Sequence, residues 1–242
     1  MAGNQSSDAM RFLKAELAKS PQSIQLQRLL VLSAVRGGQF DLAVSQAKTL
    51  LAAIPDRVEG HVPLAEVYTA KGESVNAAPL LEKAKRMAPN KAAIQAMLAA
   101  AYLSAAKPEE AKMNYRQALD GQPRNPFAAN NLAFVIADTN GDLDEALKLA
   151  RQAVKELPGQ PDFLDTLGYV YLKKNQPDQA IQVLRDLTVR QPENALYRYH
   201  FGMAHLLKGS MGEARAELRA AIAKRPDPPT KRKIEGLLSE IR

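Results

Sequence analysis

Residues 161–192 read PDFLDTLGYVYLKKNQPDQAIQVLRDLTVRQP. A first amphipathic run ends at Lys174, a turn forms around Asn175, and a second run ends before Pro192. The small residues Gly168 and Ala180 sit where the two helices have to touch.

The rest of the chain can be laid onto this unit. Prolines recur at Pro21, Pro55, Pro89, Pro123, Pro158, Pro192 and Pro226, at intervals of 34, 34, 34, 35, 34 and 34. Ala43, Ala77, Ala111, Ala146, Ala180 and Ala214 keep the same step. Two residue types sharing one period in this range mark a helical repeat array. Gly38, Gly72, Gly141, Asn175 and Gly209 are the expected turns inside the repeats, because Gly and Asn tolerate the left-handed conformation that closes a helix. The third repeat has Ala106 instead, and there Pro108 marks the turn. Each ruler proline ends the second helix, since it lacks an N–H and its ring clashes with the ladder.

Composition agrees with an all-α chain. The 242 residues are 46% hydrophobic but only 5% aromatic, without strand-like clusters of β-branched and aromatic residues. Cysteine is absent, which removes disulfides and thiolate metal sites. The net charge of +7 arises from 33 basic and 26 acidic residues that are mixed along the chain. A nucleic-acid site wants basic residues gathered on one face with aromatics between them, so none is expected. The compact run Lys231-Arg232-Lys233 reads as the solvated face of a terminal helix. No apolar run reaches the roughly 20 residues of a membrane span, so no direct membrane insertion of this segment is expected. MAGNQSSDAM carries no signal-peptide pattern, which by itself points to the cytoplasm.

The repeats resemble those of the tetratricopeptide repeat family. Leu64-Ala65, Tyr68, Ala77, Ala84 and Pro89 match its pattern. So do Leu98-Ala99, Tyr102, Ala111, Ala118 and Pro123, and Leu167-Gly168, Tyr171, Ala180, Leu187 and Pro192. The sixth copy has Phe201-Gly202, His205, Ala214, Ala221 and Pro226. The first is degenerate, with Leu30-Val31, Ala34, Ala43 and Pro55. The fourth has Leu132-Ala133, Ile136, Ala146, Ala153 and Pro158, with one extra residue near 138–140.

The resemblance implies a right-handed superhelical solenoid of antiparallel helix pairs. Six full repeats are expected at 24–57, 58–91, 92–125, 126–160, 161–194 and 195–228. Residues 1–7 read as a disordered segment and 8–23 as a partial repeat with its second helix only. Residues 229–242 form a capping helix, with Ile234, Leu237, Leu238 and Ile241 on one stripe. A half-repeat at the start predicts that the natural protein continues N-terminally, or that the array self-associates there.

Little in the chain suggests catalysis. His200 and His205 are about 140° apart on a helix, so they cannot share a metal. His61 is isolated, and His205 takes the repeat's Tyr position, where it packs between helices. Glu109-Glu110 lie at a helix start, where the dipole favours them. No phosphate loop, catalytic triad or paired carboxylate stands out. The expectation is a protein without enzymatic activity, cofactor or metal.

In the family's fold the first (A) helix of each repeat lines a concave groove. The second, fifth, sixth, ninth, twelfth and thirteenth positions face it. Towards the N-terminus these include Gln25, Arg28, Leu32 and Glu66, and in the third repeat Ala96, Met97 and Ala100. The candidate ligand site is the aromatic and amide-rich part: Phe127, Asn130, Asn131, Phe134, Asp138, Asp165, Tyr169, Lys173, Tyr199, His200 and Met203. Exposed aromatics concentrate binding energy, and an amide can both donate to and accept from a peptide backbone. Alternatively, Phe134, Tyr169 and Met203 share one repeat position and pack against one another as lining. The family's clamp for acidic chaperone tails is absent, because Ala96, Ala100, Asp162 and Thr166 supply no basic partner around Asn131.

The main expectation is a scaffold that binds a partner peptide or helix. NNLAF and LDTLGYVYL resemble stretches of large bacterial tetratricopeptide proteins, including envelope lipoproteins. That implies an envelope or periplasmic role in assembly or secretion. Two alternatives stand: a cationic polysaccharide held by the rings with Asp138, Asp162 and Asp165, or a self-associating spacer.

Overall fold

The computed structural model describes the backbone of residues 2–241 and the side chains of residues 8–241. Among the described residues there are fourteen helices and no strand. They fall into two compact units that divide between Pro123 and Arg124. The first holds α1 (Ala2–Lys19), α2 (Ile24–Arg36), α3 (Phe40–Ala53), α4 (Val58–Ala70), α5 (Ser74–Met87), α6 (Ala92–Ser104) and α7 (Pro108–Gly121). The second holds α8 (Pro126–Asp138), α9 (Leu143–Glu156), α10 (Pro161–Lys173), α11 (Pro177–Arg190), α12 (Ala195–Lys208), α13 (Met211–Ala223) and α14 (Pro228–Glu240). Both are arrays of antiparallel helix pairs. The A helices are α2, α4, α6, α8, α10 and α12, and each is followed by its B helix.

The ruler residues hold the pairs together. Ala43, Ala77, Ala111, Ala146, Ala180 and Ala214 are all fully buried. A small side chain there lets two helix backbones approach. At Gly168 the approach is closer still: an added Cβ would lie 2.7 Å from Leu184 Cγ on the paired helix. Gly202 stands in the same relation to Leu218, at 2.9 Å. In the first unit Met10, Leu13, Leu30, Val31 and Ala34 form one core with Ala43 and Ala47. Ala65, Leu81, Ile94 and Leu98 belong to the next. In the second unit Ile234 and Ile241 pack on Ala214, Leu218 and Ala221, with Leu237 and Leu238 alongside. Burying a side chain the size of Ile234 is worth about 1.5–3 kcal/mol.

Helix starts follow local chemistry. Ser23, Asn125 and Asn194 cap α2, α8 and α12 through their side chains, and Asp227 caps α14 by accepting from the Thr230 amide. α14 therefore begins at Pro228, one residue before the expected start. α1 begins at Ala2, so the segment expected to be disordered is helical from residue 2. Ser6, Ser7 and Asp8 favour caps, but no proline follows to stop the ladder. Met1 and the side chains of residues 2–7 lie outside the described residues.

Turns depart from expectation in two repeats. Gly38, Gly72, Asn175 and Gly209 have positive φ as expected. In the fourth repeat it is Asn140 (φ 52°), not Gly141, that turns left-handed. The extra residue lengthens that connector and moves the turn back by one. Ala106 also takes positive φ (56°), so the chain reverses in the same way there without Gly or Asn. The position demands the conformation, and alanine adopts it at a steric cost.

One recurrent bond is made by side chains of different types at one repeat position. The fourth side chain of an A helix reaches back to the carbonyl of the ruler proline six residues earlier. Gln27 Nε2 donates to Pro21 O at 2.8 Å, His61 Nε2 to Pro55 O at 2.7 Å and Gln95 Nε2 to Pro89 O at 2.7 Å. Arg198 Nε donates to Pro192 O at 2.9 Å. Three different side chains thus tie the loop between repeats to the helix that follows. His61, which looks isolated in sequence, is one of these ties and is buried.

Candidate functional site

The candidate residues all lie in the second unit, on α8, α10 and α12. α10 packs against both of the others, so the three A helices present one face. α8 and α10 each contribute a ring at the ninth position, α12 contributes rings at the fifth and sixth, and the rings meet. Phe134 and Tyr169 have centroids 5.7 Å apart, and Tyr169 stacks on His200 at 5.2 Å and 29°. Tyr199 lies 5.4 Å from the same imidazole. The result is a ladder of Phe134, Tyr169, His200 and Tyr199 across the three helices. Lys173 places its Nζ 5.8 Å from the Tyr169 centroid, a cation–π contact. Phe127 stands at one edge against Phe163, at 5.3 Å and 77°, and remains 57% exposed.

Beneath the rings runs a polar layer. His200 Nδ1 donates to Asp165 Oδ1 at 2.7 Å, and both side chains are buried. Asn130 is buried too; its Nδ2 donates to Asn131 Oδ1 at 3.2 Å, and its own Oδ1 has no hydrogen-bond partner among the described residues. Asn130, Asp165 and His200, expected to face the groove, are thus turned inward and buried. Their positions border the seam between neighbouring A helices, where packing takes a side chain inward. Asn131, Phe134, Tyr169, Lys173, Tyr199 and Met203 are half-buried, and Asp138 is exposed.

The acids of this face are already engaged. Tyr169 donates its hydroxyl to Asp138 Oδ1 at 2.9 Å, and Tyr197 donates to Asp162 Oδ1 at 2.8 Å. Burial raises the Tyr169 and Tyr197 hydroxyls well above the usual tyrosine range, and the bonds to Asp138 and Asp162 add to the effect. Burial also raises Tyr199. The face therefore presents un-ionised tyrosines and hydrogen-bonded carboxylates at ordinary pH. The Tyr197–Asp162 bond escapes sequence reasoning, because position three of a repeat carries no signal for it.

Met203 leads to an apolar cavity of ≈ 370 Å³, which it lines with Leu172, Lys173, Leu206, Leu207 and Leu237. Leu237 comes from α14, read in the sequence only as a cap. Among the described residues no group of three or more His, Asp or Glu side chains converges as a metal site would need. No helix there is long and apolar enough to cross a membrane. In the first unit, Gln25, Arg28, Leu32 and Glu66 line a separate small cleft with Leu29 and Pro63.

Residues 28–92 and 96–161 match the family described as Tetratricopeptide repeat, and a further profile of the same description matches residues 139–199. The interferon-induced protein with tetratricopeptide repeats 2 of Cricetulus griseus is 28% identical over 102 residues, which cover 42% of this chain and 21% of that protein. The chain thus spans about a fifth of the length of that relative. Among solved structures, a chain of the APC/C hetero-tetramer Cut9–Hcn1 superimposes with a TM-score of 0.82 at 16% identity, covering 98% of this chain and 46% of that one. A tetratricopeptide repeat protein of Parabacteroides merdae superimposes with a TM-score of 0.71 at 16% identity, covering 98% and 92%. The helix pairs, their period and these matches agree: the chain belongs to the tetratricopeptide repeat family.

Proposed function

We propose that the chain is a non-catalytic protein-interaction scaffold that holds a partner peptide or helix on the α8–α10–α12 face. The observation that carries this reading is the ring ladder Phe134–Tyr169–His200–Tyr199, with Phe127 exposed at its edge. Rings fixed by one another and by a buried His–Asp bond form a rigid apolar surface. Such a surface loses little side-chain entropy on binding. Asn131, at the ladder's edge, supplies an amide of the kind that bonds peptide backbones.

The engaged acids favour a peptide over a cationic polysaccharide. Asp138, Asp162 and Asp165 each give one oxygen to Tyr169, Tyr197 or His200, and Asp165 is buried, so fewer acceptor sites are left for a cationic sugar. Self-association has one specific observation behind it: Phe12 on α1 is 64% exposed. The bacterial-envelope setting rests on the resemblance of NNLAF and LDTLGYVYL alone.

Panning a phage-displayed random peptide library on the full chain tests the proposal. Selected peptides should bind the Phe134→Ala/Tyr169→Ala double variant at least tenfold more weakly, with its helical circular dichroism retained. Unchanged affinity for that variant, or binding of glucosamine oligomers in place of peptides, overturns it.

A further inference from the structure

We infer that the same face carries a second, selective docking point at its C-terminal end, an apolar pocket that receives an apolar side chain of the partner while Lys173 receives a neighbouring carboxylate. This deepens the proposed function and rests on it.

The pocket lies between α10, α12 and α14, and its ≈ 370 Å³ falls within the range of ligand clefts, about 300–1,000 Å³. Five of its six lining side chains, Leu172, Met203, Leu206, Leu207 and Leu237, are apolar. Leu207 is 42% exposed, so a large apolar side chain at the mouth lacks a cover. The sixth, Lys173, is the source of selectivity. Neighbouring lysines are paired, Lys174 with Asp144 and Lys208 with Asp178, whereas no carboxylate among the described residues lies within ion-pair distance of Lys173. Its ammonium group rests over Tyr169, which joins the pocket to the ring ladder. The acids that touch the ladder, Asp138 and Asp165, are bonded to Tyr169 and His200.

Charge complementarity follows. The rim offers a cation without a carboxylate partner among the described residues, so an acidic group gains a charge-assisted bond. A basic group there meets repulsion. The fitting occupant is a segment with a large apolar residue flanked by Asp or Glu.

The test pans a phage-displayed dodecamer library on the full chain and on its Leu207→Asp and Lys173→Glu variants, each checked for helical circular dichroism. The wild type should enrich peptides with an apolar residue beside Asp or Glu. A synthetic copy of a selected peptide should bind each variant at least tenfold more weakly. Lys173→Glu should shift the selection to an apolar residue beside Lys or Arg. Peptides without acidic preference, or equal affinity for wild type and both variants, overturn the pocket assignment. If binding is lost only in Phe134→Ala/Tyr169→Ala, the pocket fails while the proposed function stands. If no peptide is enriched, both fail. A dimer seen by sedimentation equilibrium and abolished by Leu207→Asp assigns the pocket to a second copy and overturns the acidic segment.

Discussion

His200, a rung of the ring ladder, bonds to Asp165 across 2.7 Å, and both side chains are largely withdrawn from water. The carboxylate fixes the imidazole's plane, and Tyr169 stacks on that plane. The orientation of the half-buried Tyr169 ring is therefore set by a buried polar bond.

Asp165→Ala should lower stability by about 1–3 kcal/mol, because it strands a buried N–H. Asp165→Asn keeps an acceptor at the same place and should cost less. Urea unfolding of both variants, followed by far-UV circular dichroism, measures the difference. Equal losses would mean that the bond to His200 does not matter.

Glycines and one alanine should respond in opposite directions. Gly168→Ala drives a methyl into Leu184 Cγ at 2.7 Å and should cost about 1–3 kcal/mol. Gly236→Ala, in the exposed middle of α14 with nothing within 4 Å, should gain about 1 kcal/mol. Ala106→Gly removes a left-handed alanine and should gain about 0.5–1 kcal/mol. Thermal melts of the three single variants rank them.

Alkaline unfolding should be early, and tyrosine ionisation late. Tyr102 is pushed up to about 12, chiefly by burial and then by its bond to Glu82. Tyr169, Tyr197 and Tyr199 are raised as well. Free tyrosine ionises near 10. Above that pH the unfolded chain binds fewer protons than the native one, so the contribution of these groups is complete below about 10 and declines as pH climbs through the folded values. The chain has no tryptophan, so phenolate absorbance can be followed without interference from indole. Asp138→Asn should bring the Tyr169 transition back towards 10.

A mild acid sensitivity should come from His205. Burial lowers its pKa, and Arg185 and Lys208 lower it further against the opposing carboxylates of Glu213 and Glu217. Below about 6.5 the unfolded chain protonates before the native one. Stability is thus full above that pH and falls as pH drops towards the depressed native value. His205→Tyr restores the usual residue of this position. Tyr171 accepts from Arg151 at 3.2 Å, twenty residues earlier, and Arg185 stands at that spacing from His205. The variant should lose the acid step and gain stability, as read from melts between pH 5 and 8.

The helix pairs were legible because Pro, Ala and the turn residues act through the backbone, and backbone demands repeat with the period. Side-chain depth on the face was not. Positions five and six straddle the border between groove and helix seam. Asn131 stays half-exposed while Asn130 beside it is buried, and which way each turns depends on the adjoining helix. The proline ties were hidden for another reason. Gln27, His61, Gln95 and Arg198 share only an N–H at similar reach, a likeness of geometry that residue names conceal.

The extra residue of the fourth repeat falls in the connector 139–142, where connectors 37–39, 71–73, 105–107 and 174–176 have one residue fewer. It brings in Asp142, whose side chain accepts from the amides of Asp144 and Glu145; no other B helix from α3 to α13 starts with a side-chain cap. Downstream, Pro192 and Pro226 keep their step of 34. A length error in such a chain stays local: each repeat sets its own register, so an insertion at a loop tip disturbs no later repeat, whereas the same insertion inside a helix would rotate every contact of that pair.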